Sequence, residues 1–65
     1  MNKVKDLRKS AKITQEELSK KSGVSRTTIS AIENGNDSSA SQRTMTAIAD
    51  AFGKKVRNIF FLNNV

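Results

Sequence analysis

Apolar residues recur along this chain at intervals of three and four and never alternate with polar ones, so the pattern predicts helices and no strand. A first helix over residues 2–11 puts Val4, Leu7 and Ala11 on one face and leaves Lys5, Arg8, Lys9 and Lys12 mostly elsewhere. Ile13 follows as an apolar anchor. A second helix opens at Thr14, whose hydroxyl can accept from a first-turn amide while Glu17, three residues on, reaches back to the Thr14 amide; this is a capping box. Leu18 faces inward, and Ser19 and Ser22 are small enough to let a neighbouring helix approach. Gly23 ends the helix, because a left-handed backbone there is unstrained only for glycine. Val24 is the apolar residue of the turn, and Ser25 caps a third helix with Ile29 and Ile32 inward. Residues 34–39 are turn formers. Ser41 then caps a fourth helix, Gln42–Phe52, with Met45, Ile48, Ala49 and Phe52 along one face and Gly53 closing it. A short fifth helix over 56–61 supplies Val56, Ile59 and Phe60. The expected fold class is all-α, with one domain over residues 1–65.

The third helix differs from the others in its outer surface. Arg26, Thr27, Thr28, Ser30 and Ala31 occupy it, all short except Arg26. A helix needing only stability would carry Glu, Lys and Gln there, because Thr and Ser are middling helix formers. Propensity is given up for a surface that can lie close to something. Residues 14–34, TQEELSKKSGVSRTTISAIEN, therefore read as two short helices joined by a tight glycine turn, the second polar on its outer face. Such a unit holds an exposed helix rigidly enough to enter the major groove of DNA.

Charge points the same way. Twelve Lys and Arg stand against six Asp and Glu, a net +6, and each phosphate neutralised by such a surface releases condensed counterions. An anionic membrane would also attract this charge, but no apolar run approaches a spanning length and no signal-peptide core follows the basic start. The expectation is a soluble cytoplasmic protein without membrane contact. The chain has 65 residues and neither Cys nor His. A chain this short buries only ~60% of its unfolded surface, leaving little room for non-structural residues in the core. Thiol, imidazole and zinc chemistries are closed, and six scattered carboxylates form no acid–base pair. No enzyme activity, metal, cofactor or small-molecule ligand is expected.

Taken together, Leu7 and Arg8; Thr14, Gln15, Glu16, Glu17 and Leu18; Gly23, Val24, Ser25 and Arg26; Thr28, Ile29 and Ser30; Ile32, Glu33, Asn34 and Gly35; and Ile48, Ala49, Phe52 and Gly53 resemble the Cro/repressor-type (XRE-like) helix-turn-helix family of phage and bacterial regulators. The resemblance implies a compact five-helix, lambda-repressor-like domain whose second and third helices form the helix-turn-helix, residues 14–34. It also implies roles. Gln15 matches a glutamine that grips a phosphate and braces the recognition helix. Ser25 and Asn34 match phosphate-binding positions at either end of the third helix, and Thr28 and Arg43 are further candidates for phosphate. Arg26, Thr27, Ser30 and Ala31 match positions that face base edges. Arg26 is the foremost of these, since a guanidinium fork fits the O6 and N7 acceptors of guanine. Glu33 would repel phosphate if unpaired; the family pairs it with an arginine of the first helix, here Arg8, as a structural ion pair. Lys55 departs from the pattern by standing where a Ser or Thr usually caps the last helix.

Phe60, Phe61 and Leu62 are consecutive apolar residues that one face of a short helix cannot all bury. Ile59, Phe61 and Leu62 are therefore candidates for a homodimer interface, Phe60 being assigned to the core. The functional expectation is a sequence-specific transcriptional regulator, a repressor binding a two-fold operator on double-stranded DNA as a homodimer, its half-sites roughly 34 Å apart. A competing expectation is a protein-interaction module, such as an antitoxin that binds a toxin and autoregulates its operon. Only about three residues follow Leu62, which argues against the extra chain such proteins usually carry.

Overall fold

A computed structural model describes residues 2–60, the side chain of Asp37 excepted. Five α-helices follow one another: α1 Val4–Ser10, α2 Gln15–Ser22, α3 Arg26–Glu33, α4 Gln42–Phe52 and α5 Val56–Ile59, with a 3-10 turn over Asp37–Ser39 between α3 and α4. α2 packs against both α3 and α4, and α1 and α5 close the remaining sides.

The core is what the helical periodicity selects. Val4, Leu18, Ile29, Ile32, Ile48 and Ile59 are fully buried, joined by Val24, Ala49 and Phe60. Burying each large aliphatic side chain contributes about 1.5–3 kcal/mol before entropy is counted. Leu7, Ile13, Met45, Phe52 and Val56 pack against this centre while remaining partly exposed.

Local chemistry starts and stops the helices. The capping box of α2 is formed: the Glu17 backbone N–H donates to Thr14 Oγ1 (3.0 Å), and the Thr14 N–H donates to Glu17 Oε1 (2.8 Å). Gly23 ends α2 with φ +76°, its N–H reaching the Ser19 carbonyl. Ser22 does more than make room for a neighbour. Its hydroxyl donates to the Leu18 carbonyl (2.8 Å) and accepts from the Val24 N–H (3.1 Å), fixing the entry into the turn. Where α1 ends, the left-handed position falls to Lys12 (φ +59°) rather than to a glycine, and the Ile13 N–H returns to the Arg8 carbonyl.

Both outer helices are shorter than their patterns predict, for one shared reason. Asn2 and Phe60 form an isolated antiparallel bridge. The Lys3 N–H donates to the Ile59 carbonyl (2.8 Å), and the Asn2 amide donates to the Ile32 carbonyl (2.9 Å). Tertiary pairing thus takes residues 2 and 60 out of the helices that local propensity assigns them to. Lys55 makes no side-chain cap for α5, which has only four residues. The stretch predicted as plain turn, 34–39, contains the 3-10 segment, closed by the Ser39 N–H to the Asn36 carbonyl (3.1 Å).

Candidate nucleic-acid interface

Spacings of one and four along α3 set Arg26, Ser30 and Asn34 in one line with Thr27 and Ala31 beside it. Ile29 and Ile32 point the opposite way and are fully buried, which fixes the rotation of the helix. The outer row is thereby forced outward: Arg26, Thr27 and Asn34 are exposed, and Ser30 and Ala31 half-exposed. Together with Gln15 they line one shallow groove, so the fold brings all four base-facing candidates and two of the phosphate candidates together. None of the side chains of Arg26, Thr27, Ser30 or Asn34 makes a hydrogen bond or ion pair among the described residues. Polar groups without partners along a rigid, exposed edge are what a base-reading surface requires.

Beside this row lies a polar cluster in the opposite condition. Glu33, on the flank of α3, has a side chain only 2% exposed. Its Oε2 accepts from Arg8 Nε at 2.7 Å, and its Oε1 accepts from both Arg8 Nη2 and Gln15 Nε2 at 3.1 Å. Arg8 also donates from Nη1 to the Ile13 carbonyl (2.9 Å), tying the α1–α2 connection to the same centre. Burial pushes the Glu33 carboxyl pKa up, but donation from Arg8 and Gln15, with the positive charges of Arg8 and Lys5, outweighs it and holds the group below the usual glutamate range. Donation to Glu33 correspondingly raises the Arg8 guanidinium above its ordinary value against a smaller effect of burial. The carboxylate is therefore charged, fully bonded and hidden from any phosphate.

The remaining phosphate candidates gather at a second groove, between the α2–α3 turn and the start of α4, where Ser25, Thr28, Arg43 and Thr44 meet. Ser25 accepts from the Thr28 N–H (3.2 Å) as the cap of α3 and donates its own proton to Thr28 Oγ1 (2.8 Å). Among the described residues the Thr28 hydroxyl does not bond back to a carbonyl of its own helix. Ser41 and Thr44 repeat the arrangement at the start of α4, at 3.2 and 3.0 Å. The sequence reading missed Thr44 as a groove residue. The available signal was the repeat itself, Ser-x-x-Thr at two successive helix starts.

One expectation is corrected. Ile59 is fully buried within the chain, at the centre of the α5 contact with the core, and so is not available to a dimer interface. The carbonyl it offers is already taken by Lys3. The other two interface candidates, Phe61 and Leu62, lie outside the described residues. Phe60 is 2% exposed, in the core position assigned to it.

Two short helices set across a glycine turn, with the second displaying an unpartnered polar edge, define a helix-turn-helix DNA-binding unit. The chain belongs to the Cro/repressor-type helix-turn-helix family of DNA-binding transcriptional regulators: the family model described as "Helix-turn-helix" matches residues 4–58. It is also similar to an uncharacterised HTH-type transcriptional regulator of Methanocaldococcus jannaschii, 48% identical over 59 residues that cover 91% of this chain and 88% of that protein. No solved structure matches the chain. Among the described residues, no helix is long and apolar enough to cross a membrane.

Proposed function

We propose that this protein is a cytoplasmic transcriptional repressor, without enzymatic activity, that binds a two-fold operator on double-stranded DNA as a homodimer. The observation that carries the reading is the outer edge of α3, polar and unpartnered while the opposite edge is locked in the core. α3 enters the major groove. Arg26 reads guanine through its paired donors, Thr27 and Ser30 offer hydroxyls to base edges, and Ala31 gives apolar contact to a thymine methyl. Around them Gln15, Ser25, Thr28, Asn34 and Arg43 hold backbone phosphates, Gln15 through its second amide hydrogen or its first-turn backbone N–H. A single eight-residue helix reads only a few base pairs, which is the argument for two copies on adjacent half-sites.

Gel shifts with DNA surrounding the protein's own gene, at several salt concentrations, test the reading. Specific binding that weakens steeply with salt is the expected result. Tight binding to a partner protein with no preference among DNA sequences would overturn it. Sedimentation at operator-saturating concentrations tests the homodimer separately: a monomer there removes that part of the proposal.

A further inference from the structure

A third groove lies between α4 and the start of α5, and it shares no residue with the two that hold the DNA candidates. Met45 and Val56 pack against the core yet stay half-exposed, and they form its apolar floor. Gln42, Lys55 and Arg57 are exposed and stand at its rim, enclosing with the floor a space of about 450 Å³.

Local stability does not account for that rim. Lys55 stands where a Ser or Asp would cap α5, and its side chain makes no cap. A positive charge at a helix start is unfavourable, and Arg57 adds a second in the same turn. No carboxylate lines the groove. Among the described residues the side chains of Lys55 and Arg57 form no ion pair or hydrogen bond. Two unneutralised cations thus flank an apolar floor that the chain leaves half-open.

We propose that the α4–α5 groove docks an acidic peptide segment of a partner protein, with an apolar side chain of the segment on Met45 and Val56 and its carboxylates against Lys55 and Arg57. The Arg57 guanidinium matches a carboxylate with two parallel donors, and the Gln42 amide offers a donor and an acceptor to the segment's backbone. Apolar contact holds the segment, and opposite charge selects it from other apolar peptides. The floor argues against DNA as occupant, because a chain of phosphates has no apolar side chain to seat on Met45 and Val56. The concave shape argues against an anionic membrane, which takes up apolar groups that protrude. A second copy docked about a two-fold axis here would set Lys55 and Arg57 against the same pair, like charge on like. The inference stands apart from base reading, since none of its residues belongs to the DNA-facing set.

The test selects short peptides from a displayed random pool on the immobilised full chain, then measures the best of them in solution as a labelled synthetic peptide. Selected sequences are expected to carry Asp or Glu around a Leu, Phe or Met, and to bind less tightly as salt rises. Lys55→Glu combined with Arg57→Glu should weaken the peptide by roughly tenfold or more and leave the melting temperature close to wild type, since both side chains are exposed. Replacing the peptide's acidic residues with their amides should give a comparable loss without altering the protein. Lys9→Glu combined with Lys21→Glu makes the same change of net charge at exposed positions that do not line the groove, and should weaken the peptide by less than about threefold. Equal losses from the two double variants would mean attraction to bulk charge and overturn the docking site. Undiminished binding when the peptide's apolar anchor is changed to Ser would overturn the role of the floor. A pool that yields no acidic peptides overturns the proposal, as does loss of binding to duplex DNA or anionic vesicles alone on reversal of Lys55 and Arg57. A shift from dimer to monomer in sedimentation of that double variant would make a second copy the occupant and overturn it equally.

Discussion

On the flank of α3 that meets α1 and α2, both carboxylate oxygens of Glu33 are bonded, and no buried side-chain nitrogen or oxygen among the described residues lacks a partner. On the outer flank, Arg26, Thr27 and Ser30 have none. The two flanks belong to one eight-residue helix, so sequence composition alone does not separate them; the rotation fixed by Ile29 and Ile32 does. The difference teaches where stability and recognition reside. Inside, a missing partner strands a buried charge. Outside, a missing partner leaves a polar group facing solvent, the condition on which the proposed base reading depends.

Removing Arg8 should produce the largest effect. Arg8→Ala leaves the Glu33 carboxylate buried with only Gln15 as partner and is expected to cost about 3 kcal/mol, at the lower end for breaking a buried pair. Urea unfolding at neutral pH would measure it. Glu33→Ala should cost less, because Arg8 can swing into solvent; the reverse order would break the distinction between the flanks.

Arg26→Ala is the counterpart on the outer side. It should cost about 1–3 kcal/mol in discrimination at one base pair while changing folding stability by less than about 0.5 kcal/mol. Paired gel-shift and melting measurements would show the two numbers moving independently. A fall in stability comparable to that of Arg8→Ala would mean that the outer row is structural.

Acid should act on the inner flank through Glu33. The folded Glu33 carboxyl titrates below its unfolded value of about 4.3, so its contribution to stability is complete above that value and is lost as pH falls through the lower, folded one. Melting temperatures followed downward from pH 6 should decline in that window, and Glu33→Gln should flatten the decline. A Glu33→Gln variant with the wild-type acid profile would show that another group is responsible.

The smallest change sharpens the comparison at the loop that Arg8 holds. Lys12 takes a left-handed backbone at a cost of about 1 kcal/mol that glycine avoids, partly offset by the greater freedom of glycine when unfolded. Lys12→Gly should therefore raise stability by roughly 0.5 kcal/mol and leave base preference untouched. Denaturant midpoints would detect it; destabilisation would indicate that the Lys12 side chain supports the cluster.

What the sequence made legible follows sequence distance. Thr14, Glu17, Gly23 and Ser25 act on neighbours three or four residues away, and their capping roles are readable from spacing. Ile29 and Ile32 declare the buried face of α3 by periodicity, and that places the outer row. The Gln15–Glu33 bond joins residues 18 apart, and the Arg8–Glu33 bond residues 25 apart. Only the family pattern hinted at the second, and nothing along the chain indicated the first. Ile59 was misassigned because a four-residue helix has too little periodicity to declare its inner face, whereas the pairing of residues 2 and 60 decides it. Ser25, Thr28 and Arg43 converge at the groove beside the start of α4, a proximity across three elements that spacing cannot encode.

The bridge between Asn2 and Phe60 has its own consequence. Because Lys3 donates to Ile59 and Asn2 donates to Ile32, the margin before α1 and the margin after α5 are fastened to each other and to the end of α3. Fraying at the two margins is then one event. An excursion that frees the amide of Lys3 also strips the Ile59 carbonyl of its donor and loosens the seam against α3, so hydrogen exchange at both margins should share a single opening free energy.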